Sequence, residues 1–368
     1  MIHSGRVDVR TGVGSYPVFV GHGVARVLPG LVAERAASGR FALISDSNVS
    51  PLHGERLAEA CRVSGLDPTL LSFPAGEASK TRGRWMTLTD EMLEAGLGRD
   101  SCVVAVGGGV TTDLGGFVAS TYLRGIPVIQ VPTSYLAMVD ASVGGKTGVD
   151  VAAGKNLVGT FHPPAAVVAD TELLRTLPER NRREGLVEAV KHGAVLDEGH
   201  FEAIERRCDD LLRADPDTAS DVVLASIRIK ADVVSKDEFE GGFRHVLNFG
   251  HTIGHALEAA SEYRLGHGSA VGLGMITEAA IGERVGVTAP GTRDRLKRAL
   301  DRLIDPAPPG LTLERTVAYL GQDKKVRRGR PRYVLLACVG ETSRGVAWTH
   351  DVPDEVAHRA LREVLDAA

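Results

Sequence analysis

Within NFGHTIGHALE, residues 248–258, His251 and His255 stand four residues apart in a chain that has only twelve histidines. On a helix that spacing stacks the two imidazoles one turn apart on one face. An apolar core has little use for such a pair, whereas a divalent cation does. A third histidine, His267, follows twelve residues after His255 in YRLGHGSAV, beyond the expected end of that helix. One carboxylate with two of these imidazoles makes a three-ligand Zn²⁺ site whose fourth position is open to substrate, the mark of a catalytic metal. The spacing does not choose which of the three histidines ligate, nor whether His255 instead hydrogen-bonds substrate.

Other segments carry charge in places where chemistry needs it. EGLVEAVKHG, residues 184–193, puts Glu188 and Lys191 three apart on one helical face. A surface ion pair of that kind contributes little. Its flanks, Leu186, Val187, Ala189 and Val190, are too apolar for an exposed face, so Glu188 is expected to point into a cleft. VDASVGGKTGVDVAAGKNLVG, residues 139–159, holds Asp140, Lys146, Lys155 and Asn156 among glycines. The glycines exclude a regular helix and predict a loop whose lysines meet phosphate as mobile point charges. CVVAVGGGVTTDLGGFVAS sets three glycines between an apolar strand and a helix. There the backbone approaches a pyrophosphate closely and the helix start offers amide donors, although the pattern is not the G-x-G-x-x-G fingerprint. Asp113, expected in the first helical turn, either caps those amides or accepts a hydrogen bond from a sugar or nicotinamide.

Residues 1 to about 175 alternate β-rich runs with helical stretches. YPVFV (16–20), RFALIS (40–45), LLSF (70–73), SCVVAVGGG (101–109), PVIQVP (127–132) and AAVVAD (165–170) read as strands, and TRGRWMTLTDEMLEAGL between two of them as a helix. Alternation of this kind implies a mostly parallel sheet covered by helices. The polar loops SDSNV (45–49) and PAGEASK (74–80) then join the glycine turn at the sheet edge where such folds bind ligands. The character changes near LRTLPERNRREG (174–185). From there to about 304, FEAIERRCDDLLR, TASDVVLASIRIKADVVS and HVLNFGHTIGHALEAAS repeat apolar residues at three- and four-residue intervals, with no convincing strand. RYVLLACVG and GVAWTHDV suggest a small hairpin before a closing helix. The expectation is an α/β Rossmann-like domain over 1–176 and a mainly α-helical domain over 177–368, with the catalytic cleft between them.

Composition narrows the class. Hydrophobic content of 43% and charged content of 24% are those of an ordinary soluble globular protein. A formal charge of −4 argues against a general nucleic-acid binder while allowing a locally basic pocket. Cys61, Cys102, Cys208 and Cys338 show no C-x-x-C spacing and read as reduced residues of a cytoplasmic protein. MIHSGRVDVR has no apolar signal core, and no apolar run approaches the roughly 18 residues of a membrane span.

From PAGEASK to the DKK at 323–325 the chain resembles the dehydroquinate synthases. The resemblance rests on seven ordered blocks: GGGVTTDLGGF, YLRGIP, VPTSYLAMVDASVGGKTGVD, GKNLVGTFHPP, EGLVEAVKHG, LNFGHTIGHALE and LGHGSAV. It implies a dehydroquinate synthase-like fold and a metal, zinc or cobalt, held by Glu188, His251 and His267, with His255 left for substrate. It further implies substrate contacts from Asp113, Lys146, Asn156, Lys191, Lys230, Arg244, Asn248 and Lys324 or Lys325, with Arg124 reaching in from the second subunit of a homodimer. NAD is implied at Asp46 and Asn48, at the loop Ala75, Gly76, Glu77, Ala78, Ser79 and Lys80, and at Gly109, Val110, Thr111, Thr112 and Asp113. Thr133, Ser134, Lys146 and Lys155 complete that set with Leu173, Leu174, Arg175 and Thr176.

The reaction implied is conversion of 3-deoxy-D-arabino-heptulosonate 7-phosphate to 3-dehydroquinate and phosphate. It runs by transient oxidation at C4, β-elimination of phosphate, re-reduction and an intramolecular aldol closure, so the enzyme is formally a lyase of the shikimate pathway. Three departures stand out. Thr112 occupies a frequent glycine position, Ser269 a frequent glutamate position, and VDVAAGKN lacks a histidine common before its lysine. Three rival readings differ in what they require. A cyclase acting on sedoheptulose 7-phosphate, or one making 2-deoxy-scyllo-inosose, implies changes in SVGGKTG and at Asn248. A metal-dependent polyol dehydrogenase would lack most of the lysine and arginine set, and a non-catalytic NAD sensor would have lost ligands.

Overall fold

The computed structural model describes residues 4–320 and 331–366. β1 (Ser4–Thr11) and β2 (Gly14–Gly21) open the chain, followed by α1 (Leu28–Arg35), β3 (Arg40–Asp46), α2 (Glu55–Val63) and β4 (Asp67–Phe73). Next come α3 (Arg82–Glu94), β5 (Cys102–Gly107), α4 (Gly109–Thr121), β6 (Val128–Pro132), β7 (Lys146–Val151), β8 (Gly154–Phe161) and β9 (Ala166–Asp170). All six strands expected from the sequence are present, and α3 starts where Thr81 caps it by accepting from the Arg84 amide.

Seven strands form one sheet in the order β1-β2-β9-β6-β5-β3-β4, with β1 antiparallel to β2 and every other pairing parallel. Both faces are buried, which is why these strands read as continuous apolar runs. Alternate residues serve opposite faces: Phe41, Leu43, Val104 and Val106 pack into one core, and Ala42, Ile44, Val103 and Ala105 into the other. β1 is an edge strand whose Arg6, Asp8 and Arg10 are exposed, so its alternation carried little apolar signal.

The loop expected over 139–159 is corrected: β7 and β8 form an antiparallel hairpin there. Its glycines serve close strand pairing, because a Cβ on Gly159 would fall 2.0 Å from the Thr147 carbonyl oxygen and one on Gly148 2.8 Å from that of Val158.

After β9 come α5 (Glu179–Leu196), α6 (Glu198–Leu212), α7 (Pro216–Lys236), α8 (His251–Ala260), α9 (His267–Arg284), α10 (Thr292–Leu300) and α11 (Leu313–Leu320). β10 (Leu336–Cys338), β11 (Glu341–Thr342) and α12 (Asp354–Asp366) close the chain. The late hairpin is corrected in its second strand: β10 pairs with β11 at Glu341–Thr342 and not with GVAWTHDV, which meets Tyr333 only through an isolated bridge at His350. HVLNFGHTIGHALEAAS is not one helix: a short 3-10 helix over Phe243–Asn248 ends before α8 begins.

The chain forms two compact units, Met1–Pro178 with Arg213–Ser235, and Glu179–Leu212 with Lys236–Ala368. Nearly all of α7 thus belongs with the sheet, where the Thr171 hydroxyl bonds both the Pro216 carbonyl (3.1 Å) and the Ser220 hydroxyl (2.8 Å). All four cysteines are free, and among the described residues no helix is long and apolar enough to cross a membrane.

One buried histidine of the helical unit sets a pH dependence. Burial, reinforced by His192, pulls His200 on α6 down to about 4. Unfolding then takes up a proton below the ordinary histidine range, so stability is complete above about pH 7 and falls as pH drops from about 6.5 toward 4. Between pH 7 and pH 5 this residue should remove about 2 kcal/mol of unfolding free energy. Urea unfolding of His200→Gln at the two pH values should show that much less pH dependence; an unchanged difference would contradict the assignment.

Candidate active site

In the helical unit, two breaks in the chain put histidines at helix starts. Gly250 takes a left-handed conformation (φ 79°) and α8 begins at His251; extended Gly266 precedes α9, which begins at His267. Gly250 has no room for a side chain either, since a Cβ would lie 2.6 Å from the Val271 carbonyl oxygen. Glu188 comes from the middle of α5, among buried Leu186, Val187, Ala189 and Val190. Its pairing with Lys191 is fully buried, so the surface alternative is gone.

Glu188, His251 and His267 each offer a ligand atom within 4.8 Å of the others. Glu188 Oε1 lies 3.6 Å from His251 Nε2 and 3.4 Å from His267 Nε2. The second ring nitrogens are held from behind, His251 Nδ1 at 3.2 Å from the Phe249 carbonyl and His267 Nδ1 at 3.2 Å from Glu258 Oε2. Outer partners of this kind orient metal-ligating imidazoles. Burial, with Lys191 adding to it, keeps the His251 pKa well below the usual value, so the ring is a neutral donor. Burial also opposes charge on His267, but hydrogen bonds to Glu188 and Glu258 outweigh it and lift that ring to about 10. The carboxylates therefore draw positive charge to the point where the three groups meet, and this donor set fits a divalent cation such as zinc.

His255 is exposed one turn further along α8, its ring centroid 5.4 Å from that of His251 and 6.3 Å from that of His267. Glu258 was missed in the sequence, although its signal was there: it stands seven residues after His251 and shares the helix face of His251 and His255. Ser269 belongs to the network that caps α9. Its hydroxyl donates to Glu184 Oε1 (2.8 Å) and accepts from the Asp305 amide (3.0 Å), while Glu184 Oε2 accepts from the Gly268 amide (2.5 Å). Arg244 is buried and donates to the Glu238 carbonyl at 2.5 Å, in a loop organised by Asp237, whose carboxylate accepts from the Gly241, Gly242 and Arg244 amides. Asn248 donates to Glu240 Oε1 at 2.7 Å.

In the sheet-bearing unit the cofactor candidates gather at one edge, because parallel strands end on the same side. Asp46 ends β3 and Asn48 follows it, Ala75–Lys80 follow β4, Gly109–Asp113 follow β5, Thr133 and Ser134 follow β6, and Leu173–Thr176 follow β9. Leu173 and Leu174 are buried in the core, which leaves their backbone for any ligand. Asp46 accepts from the Asn48 amide (2.9 Å) and from the Thr111 hydroxyl (3.3 Å), tying two of these loops together. No side chain caps the start of α4, so its first amides suit a pyrophosphate. Buried Thr112 donates to the Gly109 carbonyl at 3.0 Å, inside that first turn.

The expectation that Asp113 sits in the first turn of α4, where it could cap the amides, is corrected. It lies beyond the first turn and caps nothing there; its carboxylate instead receives Lys80 Nζ at 2.5 Å. Buried Lys80 also donates to Asn156 Oδ1 at 2.5 Å, joining the loop after β4, α4 and the β7–β8 hairpin. Burial opposes its charge, but Asp113 and Glu77 raise the Lys80 pKa above the usual lysine value. Lys230 on α7 is bonded to the Asp140 carboxylate at 2.5 Å. Lys146 is exposed on the hairpin, and Lys155 lies 3.9 Å from Glu77. Arg124 is exposed with φ 72°. Lys324 and Lys325 lie outside the described residues.

The sheet-bearing unit with its uncapped helix start and the helical unit with its Glu-His-His set match solved sugar phosphate cyclases over nearly the whole chain. A solved 2-deoxy-scyllo-inosose synthase, complexed with carbaglucose-6-phosphate, NAD⁺ and Co²⁺, superposes with a TM-score of 0.90 at 27% identity, covering 98% of this chain and 100% of that one. A 2-epi-5-epi-valiolone synthase from Streptomyces hygroscopicus subsp. jinggangensis, with NAD⁺ and Zn²⁺ bound, gives 0.86 at 28% identity, covering 99% and 100%. Residues 70–184 match the 3-dehydroquinate synthase N-terminal family and residues 185–326 the C-terminal family. The 3-dehydroquinate synthase of Symbiobacterium thermophilum is 45% identical over 346 residues, 93% of this chain and 96% of that protein. The chain belongs to the 3-dehydroquinate synthase family.

Proposed function

We propose that this chain is a 3-dehydroquinate synthase, the lyase that converts 3-deoxy-D-arabino-heptulosonate 7-phosphate to 3-dehydroquinate and phosphate in aromatic amino-acid biosynthesis. The observation that carries this is the identity of 45% over nearly the whole chain to a synthase of that name, against 27% to the deoxy-inosose synthase that shares its fold. NAD and a divalent metal are the cofactors: when bound, they supply reversible hydride transfer and polarisation of a substrate hydroxyl.

The chain's own residues divide the remaining work. Glu188, His251 and His267 hold the metal, with Glu258 orienting His267. The glycine turn and the edge loops, from Asp46 and Asn48 to Thr176, hold the dinucleotide. A substrate with phosphate and carboxylate needs several cations, which Lys146, Lys191, Lys230 and Arg244 supply, joined by Lys324 or Lys325. Asp113, Asn156, Asn248 and His255 orient its hydroxyls and carry protons. Arg124 reaches the phosphate from the second subunit of a homodimer, and the enzyme works in the cytoplasm.

The test is direct. Purified protein with NAD⁺ and the heptulosonate phosphate should release phosphate and form 3-dehydroquinate, stop on chelation, and resume with added Zn²⁺ or Co²⁺. Sedoheptulose 7-phosphate and glucose 6-phosphate should give no cyclised product. Turnover of either sugar in preference to the heptulosonate would replace this reading with that of a different cyclase.

A further inference from the structure

Glu278 is a fully buried carboxylate with no part in the ligand or substrate sets described above. It lies on α9, where His267, Val271, Gly274 and Glu278 recur at i, i+4, i+7 and i+11 and form the stripe turned toward α8. Across that stripe the two helices meet backbone to backbone: a Cβ on Gly274 would fall 2.0 Å from the Gly250 carbonyl oxygen, and one on Gly254 3.0 Å from Val271 Cα. At the end of the stripe Glu278 Oε2 accepts the Gly250 amide at 2.8 Å. The turn into α8 is therefore held at three consecutive backbone groups. The Phe249 carbonyl meets His251 Nδ1, the Gly250 amide meets Glu278, and the Gly250 carbonyl rests on Gly274. A carboxylate this deep is costly to bury unless it is hydrogen-bonded.

We propose that Glu278 is a positioning residue for the metal centre. By fixing the left-handed turn at Gly250 it sets the direction in which His251 leaves the backbone, and so aims His251 Nε2 at Glu188. The proposal rests on reading Glu188, His251 and His267 as the ligands. α9 then acts twice on the centre, once through the ring of His267 and once, three turns on, through the start of α8.

The experiment is Co²⁺ titration of the metal-free full-length protein, followed by equilibrium dialysis and by the visible d–d bands, with Tm measured in parallel. Glu278→Met should weaken Co²⁺ binding about 10-fold, the low end of what outer partners contribute, and shift the d–d bands. Glu278→Gln keeps a carbonyl oxygen for the Gly250 amide and should restore most of the affinity. If the Met variant does not fold, Glu278→Asp, too short by one methylene to reach Gly250, should show the same weakening. Asp197→Ala removes the carboxylate that accepts the His200 amide at the start of α6, and should lower Tm without moving Co²⁺ affinity or spectrum. His251→Ala should lose the metal. Wild-type affinity and spectrum in Glu278→Met or Glu278→Asp, alongside metal loss in His251→Ala, would overturn this inference alone. Retention of metal by His251→Ala would overturn the ligand reading and the inference with it.

Discussion

His251→Ala and His267→Ala should each lose bound metal and fall in turnover by about 10³-fold or more, because a Lewis-acid metal supplies several kcal/mol to the chemical step. His255→Ala should behave differently, keeping its metal while turnover drops by about 10²- to 10⁴-fold, the range for a group that moves protons. The reason is geometric. Nε2 of His251 and of His267 face the same Glu188 oxygen at 3.6 and 3.4 Å, whereas His255 is exposed one turn further along α8. Metal content by atomic absorption, measured beside kcat, separates the two cases. Equal metal loss in all three variants would reject the assignment, and metal lost from His255→Ala but kept by His251→Ala would point to the alternative grouping of His255, Glu258 and His267, whose ligand atoms also lie within 4.8 Å of one another.

The second large effect is expected at Lys80. Its side chain is 4% exposed and bridges Asp113, 20% exposed, to Asn156. Removing one partner of a buried ion pair leaves the other charge uncompensated, so Lys80→Met should cost about 3 kcal/mol in urea unfolding. It should also release the Asn156-bearing hairpin from α4, and misplacement of about 1 Å at a working residue can lower turnover about 10²-fold. Asp113→Asn keeps an acceptor for Lys80 and should cost less stability. A Lys80→Met protein within about 1 kcal/mol of the parent would show that the bridge contributes little to the fold.

The element types and the family were legible along the chain for physical reasons. Strands buried on both faces must be apolar throughout, so β2 to β6 and β9 announced themselves, and a helix packed on one side repeats at three and four residues. The candidate metal ligands were legible too, because few uses other than a cation bring a helical histidine pair, a third histidine and a carboxylate in an apolar helix into one sequence. The β7–β8 hairpin was not: its glycines read as loop because close strand approach and irregular backbone both call for the same missing side chain.

The chemical groups and the elements that carry them follow from residue type and local periodicity. Their partners do not, and were assigned by folding. Lys80 was one member of a cofactor loop until folding placed it between Asp113 and Asn156, residues 33 and 76 positions away. Asp113 was either a cap or an acceptor for a sugar or nicotinamide until the same fold set it against Lys80, and α7 belonged with its sequence neighbours until Thr171 and Ser220 met. Glu258 and Glu278 were two acidic residues in helices until antiparallel packing set one behind His267 and the other against the Gly250 amide. Hydrogen bonds and burial between distant segments depend on which backbones cross and how closely, and at the α8–α9 crossing the missing side chains of Gly250, Gly254 and Gly274 set that distance.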